Sequence, residues 1–294
     1  MSSVRTLEVP GYQVVEFVGS GARSTIWRVK DPQSGEVCAL KRVVKRQPSD
    51  QRFLNQAINE YEVASQFDHP VVRKVYRLQR VRHWLTLREV HLFMEWCWGL
   101  TVQESRPTDL AETLRIFREV ADALAHINSR GFVHADTKPN NIVVAPDGGV
   151  KIIDMGQSCP LGTVKERIQG TPDFIAPEQV QRGPLDARTD TYNFGASLYW
   201  ALTGRPIPTV LPKERGSMLK NDNILVPPEK LNPAVPPPLS KLVCDCVEMA
   251  PSRRPASLAE VASRLGLIAH SLGLRRNNGN NNSTNAHPGS PLRG

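Results

Sequence analysis

Three polar residues of complementary chemistry lie within one short predicted loop. Asp136, Lys138 and Asn141 belong to the run HADTKPNN at residues 134–141, which follows a predicted helix and precedes a strand-like apolar run. At this spacing a carboxylate can orient a hydroxyl, an ammonium can meet developing negative charge, and an amide oxygen can bind a metal ion. Phosphoryl transfer requires these functions, because the protein contributes mainly positioning and electrostatic stabilisation to it.

A second acidic residue follows the next apolar run. Asp154 begins the Asp-Met-Gly turn at residues 154–156, directly after the run VKII at residues 150–153. Asp-x-Gly alone is a common turn, but here it stands at the end of a predicted strand, close to the loop that carries Asn141. Mg²⁺ prefers such hard oxygen ligands. The sequence therefore predicts a magnesium site formed by Asn141 and Asp154.

A glycine-containing turn near the N-terminus is suited to binding phosphates. Residues 18–26 read VGSGARSTI and connect two predicted strands. Glycine lets the backbone approach phosphate oxygens closely. A strand follows the turn, which argues against a dinucleotide-binding turn, and Ser24 stands where a third glycine would be expected. The residues of this segment predicted to contact a nucleotide are Val18, Gly19, Ser20, Gly21, Ala22, Arg23, Ser24, Thr25 and Ile26.

Lys41 supplies a cation at the end of the third predicted strand, in the run Ala-Leu-Lys. A lysine that contacts phosphates needs a counterion to hold it in place, and Glu60 in the first predicted helix is positioned to provide one. Glu62 is the competing candidate, but it would point away from the side of the helix that carries Glu60. Taken singly, each of these residues would be read as an ordinary surface charge.

The chain divides into three regions of different character. Residues 11–95 contain mostly short, strand-like apolar runs and one predicted helix, and residues 101–272 are predicted to be mainly helical. Within the helical region, Asp109-x-x-Glu112 and Ser257-x-x-Glu260 predict helix starts, while clustered prolines predict an irregular connection over residues 205–238. Residues from about 275 onward are rich in Asn, Ser and Gly, which predicts a disordered polar tail. A strand-rich lobe followed by a helical lobe indicates an α+β fold with a cleft between the lobes.

The overall composition is that of an ordinary globular protein. The chain has 294 residues, of which 40% are hydrophobic and 22% are charged, so wholesale disorder is excluded. No apolar run approaches the length of a membrane helix and no secretory signal is evident, so a soluble cytoplasmic protein is expected. The five cysteines argue against a disulfide framework and are expected to be reduced thiols.

The net charge of +8 raises the question of an acidic partner. Part of the excess positive charge lies in residues 71–90, which contain six basic residues and one acidic residue. A basic stripe can attract nucleic acid, but no aromatic pattern of the kind that reads RNA accompanies it. A solvated strand pair is therefore the preferred interpretation, and nucleic-acid binding is not expected.

Taken together and in this order, the motifs resemble those of the protein kinase family over about Tyr12 to Leu272. The resemblance implies a two-lobed α+β fold: a small antiparallel β-sheet N-lobe with one main helix, and a larger, mainly helical C-lobe. The implied boundaries are an N-terminal extension over 1–11, a kinase domain over 12–272 with lobes at 12–95 and 99–272, and the polar tail at 275–294. The implied activity is transfer of the γ-phosphate of ATP, with Mg²⁺, to a serine or threonine hydroxyl of a protein substrate.

The resemblance also assigns roles to individual residues. Lys41 pairs with Glu60, Asp136 is the catalytic base, Lys138 meets the γ-phosphate, and Asn141 and Asp154 hold Mg²⁺. Met94 is the gatekeeper, Glu95-Trp96-Cys97 is the hinge that meets adenine, and the apolar walls around the base are Val18, Ile26, Ala39 and Val143. Glu178 is expected to pair with Arg254. Lys138 and the run Gly170-Thr171-Pro172 are typical of the serine/threonine branch.

Two positions depart from the family pattern. Met155 replaces the usual phenylalanine, which is a volume-tolerant apolar exchange. Ala135 replaces an arginine that normally receives a phosphorylated residue of the activation segment, and alanine cannot bind a phosphate. The sequence therefore predicts activity that does not depend on activation-segment phosphorylation through that route.

Alternative functions remain open at the level of sequence. A pseudokinase scaffold would normally have lost Lys41, Asp136, Asn141 or Asp154, and all four are present. A small-molecule phosphotransferase of related fold would share the Asp-x-x-x-x-Asn loop but not the peptide-docking residues Glu178, Asp190 and Arg254. The sequence predicts neither the substrate nor the oligomeric state. The run Leu-Thr-Gly-Arg-Pro at residues 202–206 is similar to bacterial members of the family.

Overall fold

The computed structural model describes residues 7–21, 23–208 and 225–274. The first part of the chain forms a five-stranded antiparallel sheet with strand order β1-β2-β3-β5-β4. One helix, α1, interrupts the strand sequence between β3 and β4. The elements of this small lobe are β1 (Gln13–Ser20), β2 (Ser24–Lys30), β3 (Val37–Val44), α1 (Gln51–Ala64), β4 (Val75–His83) and β5 (Thr86–Glu95).

The large lobe is mainly helical and carries two short sheets, β6-β8-β9 and β10-β7. Its strands are β6 (Leu100–Thr101), β7 (Phe132–Val133), β8 (Ile142–Val144), β9 (Val150–Ile152) and β10 (Cys159–Pro160). Its helices are α2 (Leu110–Ser129), α3 (Pro177–Gln181), α4 (Ala187–Thr203), α5 (Pro228–Leu231), α6 (Pro237–Cys246) and α7 (Leu258–Ser271). Single 3-10 turns lie at Pro48–Asp50, Pro139–Asn141 and Pro251–Arg253.

Helix α1 packs on the sheet through an apolar face. Leu54 and Ala57 on the helix are buried against Val43 of β3 and Val90 of β5, as expected for a helix whose apolar residues recur at helical spacing. This packing decides which helix positions face the cleft. Glu60, one turn beyond Ala57, is buried as well.

The helices of the large lobe begin where the sequence predicts. Asp109 accepts a hydrogen bond of 2.9 Å from the Glu112 amide at the start of α2, and Ser257 accepts one of 3.2 Å from the Glu260 amide at the start of α7. Both are side-chain caps that satisfy an otherwise unpaired helical N–H. Helix α4 is buried along most of its length, so the large-lobe core forms around it.

The architecture confirms the predicted two-lobed α+β fold. The basic segment before and within β4 lies at the edge of the sheet, where exposed charged side chains discourage pairing with another strand. Arg73 is an exception, because its side chain points into the cleft between the lobes. Within the described ranges, no helix is both long and apolar enough to cross a membrane.

Candidate active site

A buried carboxylate holds the loop at residues 134–141, which carries Asp136 and is called the catalytic loop below. Asp190, in the first turn of α4, accepts hydrogen bonds of 2.8 Å from the backbone amides of His134 and Ala135 and from the side chain of Asn128. Ala135 has φ +62°, a left-handed conformation that is uncommon for residues other than glycine. Burial raises the pKa of Asp190, and the hydrogen bonds oppose that shift. The loop backbone is thus fixed by a side chain from α4.

Asp136 is surrounded by groups that orient its carboxylate. The Lys138 ammonium lies 2.7 Å from Oδ2, and the Thr171 hydroxyl donates to Oδ1 at 3.0 Å. The same ammonium donates to Thr171 Oγ1 at 2.7 Å, so the three side chains form one network. Burial raises the pKa of Asp136, while Lys138 and Thr171 counteract part of that increase. A carboxylate held in this way can accept the proton of an incoming hydroxyl.

The two predicted magnesium ligands lie on neighbouring loops. The Asn141 side-chain amide donates a hydrogen bond of 2.9 Å from Nδ2 to the Asp136 carbonyl. The Oδ1 atom of Asn141 is therefore the one that can coordinate a metal. Asp154 accepts a hydrogen bond of 2.8 Å from the Gly156 amide. Burial works against its ionisation, but the nearby Lys41 charge and this amide outweigh burial and lower the pKa of Asp154 to about 2. An ionised carboxylate beside an amide oxygen fits the hard-donor preference of Mg²⁺.

The small lobe contributes a buried ion pair. Lys41 Nζ lies 2.6 Å from Glu60 Oε2 and 4.0 Å from Asp154 Oδ1. Glu62, the competing counterion, instead lies 3.7 Å from Arg80 on β4. The structure therefore brings Lys41 together with Glu60, and it places the pair directly across the cleft from Asp154.

A cavity of about 360 Å³ lies between these groups. Ala39 of β3 and Val143 of β8 line it from the small and the large lobe, and Cys97 lines it with Sγ 3.8 Å from the Glu95 carbonyl oxygen. Burial raises the pKa of Cys97 to about 11. The predicted residues that line this cavity are Val18, Ile26, Ala39, Lys41, Glu95, Cys97, Asn141, Val143 and Asp154.

The remaining predicted nucleotide contacts have varied environments. Gly19 and Ser20 end β1, and the Gly21 amide donates to the Ser24 carbonyl at 2.8 Å, which closes the turn tightly. Arg23 is engaged by Asp50 at 2.8 Å. Thr25 accepts a hydrogen bond from Trp27 at 2.9 Å. Ala22 lies outside the described residues, and Met94 is fully buried behind Ala39, its partner in the β3–β5 pairing.

Residues 12–264 match the model of the protein kinase domain family. The chain belongs to this family. It is 27% identical over 252 residues to the serine/threonine-protein kinase PrkC of Bacillus subtilis, covering 83% of this chain and 38% of PrkC. It is 29% identical over 308 residues to the DNA damage-responsive serine/threonine-protein kinase RqkA of Deinococcus radiodurans, covering 98% of this chain and 44% of RqkA.

A third relative is a probable serine/threonine-protein kinase of Clostridium acetobutylicum, 26% identical over 87% of this chain and 40% of its own length. The chain thus spans about two fifths of the length of these curated relatives. All three are bacterial and are named serine/threonine kinases, which agrees with the resemblance noted in the sequence.

A buried ion pair links two distant segments of the large lobe. Arg254 binds Glu178 through two hydrogen bonds of 2.7 and 2.9 Å, a bidentate geometry that only arginine provides. The Arg254 side chain is fully buried. This contact joins the end of the activation segment to the segment before α7, as the sequence predicts.

The activation segment, which ends at Glu178, is held to the rest of the large lobe by backbone hydrogen bonds. The Gly162 amide donates to the Leu185 carbonyl at 2.7 Å, and the Leu185 amide donates to the Thr163 carbonyl at 3.0 Å. Ser158 is 1% exposed, and its carbonyl accepts from Asn59 of α1 at 2.9 Å. The segment is therefore ordered without any contact from the position of Ala135 to a phosphate.

Sequence reasoning missed Arg73. Its guanidinium lies 3.4 Å from Glu60 Oε1, and it lines the same cavity as Lys41 and Asp154. The sequence signal was hidden because Arg73 stands in a run of basic residues that are otherwise exposed. Arg73 is also far along the chain from both the glycine-rich turn and the catalytic loop. The sequence therefore did not indicate that its side chain would reach the nucleotide cleft.

Proposed function

We propose that this chain transfers the γ-phosphate of ATP to a serine or threonine hydroxyl of a protein substrate, with Asp136 as the catalytic base. The observation that carries the proposal is the network of Asp136, Lys138 and Thr171, joined at 2.7 to 3.0 Å. It combines a base for the hydroxyl proton with a cation for the phosphoryl group. The names of the bacterial relatives support the same activity.

The cleft residues divide the work of phosphoryl transfer. Asp136 accepts the proton of the attacking hydroxyl, and Lys138 lies beside it, where negative charge leaves the transferred group. Lys41 holds the phosphates of ATP from the small lobe, and Ala39 and Val143 enclose the base from above and below. Asn141 and Asp154 would hold Mg²⁺, which neutralises phosphate charge when bound.

Two observations favour a protein over a small molecule as the acceptor. Asp190 fixes the catalytic loop from α4, and the Glu178–Arg254 pair fixes the end of the activation segment. Together they maintain a surface below the cleft on which a peptide can lie. A scaffold without activity is disfavoured because Lys41, Asp136, Asn141 and Asp154 are all present.

We place this activity in the cytoplasm. Supporting this, each of the five cysteines is an unpaired thiol, and such thiols persist in reducing compartments. Nucleic acid is not part of the proposal, because the exposed basic side chains of β4 form no recognised reading module.

The proposal is tested by incubating the purified chain with radiolabelled ATP, Mg²⁺ and a generic basic protein. We expect label on serine or threonine, identified by phosphoamino-acid analysis, and a loss of about 10²–10⁴-fold in Asp136→Ala, since that is the usual contribution of a positioned base. Asp147→Ala is the matched control, because Asp147 is exposed in the β8–β9 turn. Absence of label in the wild-type chain, despite ATP binding, would favour the scaffold function instead.

A further inference from the structure

Arg73 occupies a defined place at the back of the nucleotide cleft. Its backbone amide donates to the Ile152 carbonyl at 3.0 Å, and Val72 forms an isolated parallel bridge with the same residue. These contacts tie the segment before β4 to the strand that leads to Asp154. The Arg73 side chain is only 13% exposed, whereas that of Lys74, the next residue, is 57% exposed.

The side chain of Arg73 completes the coordination of Glu60. Oε2 of Glu60 faces Lys41 at 2.6 Å, and Oε1 faces Arg73 at 3.4 Å. The Glu60 side chain is 2% exposed, so loss of either partner would leave one of its oxygens buried without that counterion. Each oxygen of one buried carboxylate therefore has its own cation, supplied by a different part of the small lobe.

We propose that Arg73 is a positioning residue of the nucleotide site: it keeps Glu60 paired, and α1 in place, while Lys41 directs its ammonium to the phosphates of ATP. This inference rests on the proposed function, because it concerns how the same cleft is held during turnover. Arg73 acts through Glu60 and not on the reacting atoms.

The need for a second partner follows from the chemistry of the two cations. Lys41 is a flexible point charge and must be shared between Glu60 and the phosphates, whereas a guanidinium keeps a fixed planar geometry. A buried carboxylate that loses its partner is costly. With Arg73 on the other oxygen, Glu60 keeps one full counterion when Lys41 turns towards the nucleotide.

Within the described part of the chain, Lys41 and Arg73 are the two cations that form ion pairs with Glu60. Its charged neighbours are Lys41 from β3, Arg73 from the segment before β4, and Asp154 from beyond β9. The faces of β4 and β5 against α1 are apolar and present Leu78 and Val90. Arg73 is thus the one cation besides Lys41 that is placed to pair with Glu60.

The test compares three variants by steady-state kinetics with ATP varied. In Arg73→Met we expect kcat to fall about tenfold with the KM for ATP changed less than threefold, because a charge-assisted hydrogen bond is lost from a group that positions Lys41. Arg73→Lys, which keeps the charge, should recover most of the activity. Lys74→Met is the matched control, because it removes one positive charge at the next position. Its kcat and its KM for ATP should match those of the wild type.

A second measurement reads the role of Arg73 without phosphoryl transfer. Amide hydrogen exchange of α1 is followed with and without saturating MgADP, which draws Lys41 towards phosphate. We expect α1 of Arg73→Met to exchange about tenfold faster than the wild type in the presence of MgADP, and Lys74→Met to exchange as the wild type does. If Arg73→Met does not fold, Arg73→Gln serves as the neutral variant.

Three results would each overturn the inference. The first is kcat and α1 exchange in Arg73→Met within twofold of the wild type. The second is an increase in KM for ATP with kcat unchanged, which would make Arg73 a contact to the nucleotide. The third is a loss of kcat in Arg73→Lys as large as that in Arg73→Met. This would show that the positive charge at position 73 does not support turnover. A wild-type chain without kinase activity would refute the proposed function, while the exchange measurement would still decide the role of Arg73.

Discussion

Asp190 in the large lobe and Glu60 in the small lobe are both buried carboxylates, 0% and 1% exposed respectively, but they have different kinds of partner. Asp190 receives two backbone amides and one side-chain amide, all within the large lobe. Glu60 receives two cationic side chains from separate elements of the small lobe. Main-chain donors cannot turn away, whereas cationic side chains can change partners when a ligand arrives.

The difference indicates how the cleft is divided between rigidity and adjustment. The large lobe presents Asp136 in a fixed backbone frame, because Asp190 secures the residues just before it. The small lobe presents Lys41 through ion pairs with Glu60 and Asp154, and under the proposed function its ammonium is shared between Glu60 and the nucleotide. Substitution of Asp190 should therefore act mainly on stability, and substitution of the cations that pair with Glu60 mainly on turnover.

Asp190→Ala tests the rigid side of the comparison and should have the largest effect. It leaves two buried backbone amides and the Asn128 amide without an acceptor, and each such group costs about 1–3 kcal/mol. We expect the free energy of unfolding, measured by urea denaturation, to fall by at least about 3 kcal/mol. Arg73→Met, from the adjustable side, should change this quantity much less.

The matched control for Asp190→Ala lies on the same helix. Asp186 caps the start of α4 by accepting from the Arg188 amide at 2.8 Å, and removing an exposed cap of this kind costs about 1 kcal/mol. Equal losses of unfolding free energy in Asp186→Ala and Asp190→Ala would contradict the view that Asp190 secures the catalytic loop.

Thr171→Ala tests the pH dependence of activity that follows from Asp136 as the proposed catalytic base. Burial raises the pKa of Asp136, and the Thr171 hydroxyl opposes this by donating to the ionised form. Asp136 accepts a proton only when ionised, so activity is lost as the pH falls through its pKa. Removing the hydroxyl raises that pKa further. We expect the acid limb of log kcat/KM to move to higher pH by up to about one unit, because a hydrogen bond worth about 1 kcal/mol to the ionised carboxylate is lost.

Thr163→Ala serves as the control for Thr171→Ala. Its hydroxyl donates to the Pro160 carbonyl at 2.6 Å and does not touch Asp136, so its pH profile should match that of the wild type. An acid limb that does not move in Thr171→Ala would show that the hydroxyl contributes nothing to the ionisation of the base.

The double variant Ser158→Ala/Thr163→Ala should have the smallest effect. Ala135 offers no group to bind a phosphate, and the activation segment is already held by backbone hydrogen bonds to the large lobe. We expect kinase activity within twofold of the wild type, measured with the same basic protein substrate. Loss of activity in a variant that unfolds at the wild-type temperature would mean that phosphorylation of these residues is required after all.

The sequence predicted those parts of the site that depend on local spacing. Asp136, Lys138 and Asn141 share one loop, so their proximity follows from chain connectivity, and Asp154 follows from the strand that precedes it. The choice of Glu60 over Glu62 followed from helical periodicity. The two-lobed fold was predictable for the same reason, since the periodicity of each region is clear.

Other features depend on tertiary contacts that no local pattern reports. Arg73 looked like one more member of a solvated basic run, because only the pairing of its backbone with Ile152 directs it into the cleft. Arg23 was predicted to contact a nucleotide, but its guanidinium is engaged by Asp50, whose position is set by the turn before α1. Whether Arg23 also reaches a bound nucleotide stays a prediction.

Cys97 has a consequence for chemical labelling of this protein. Its thiol lines the nucleotide cleft, yet burial raises its pKa to about 11, so little thiolate exists at neutral pH. Electrophiles react with the thiolate and not with the thiol. A freely diffusing reagent will therefore modify Cys97 slowly, whereas an electrophile carried on a ligand that fills the cleft gains a high effective concentration beside it. Cys97 thus offers a site for selective covalent probes whose reactivity is set by occupancy of the cleft.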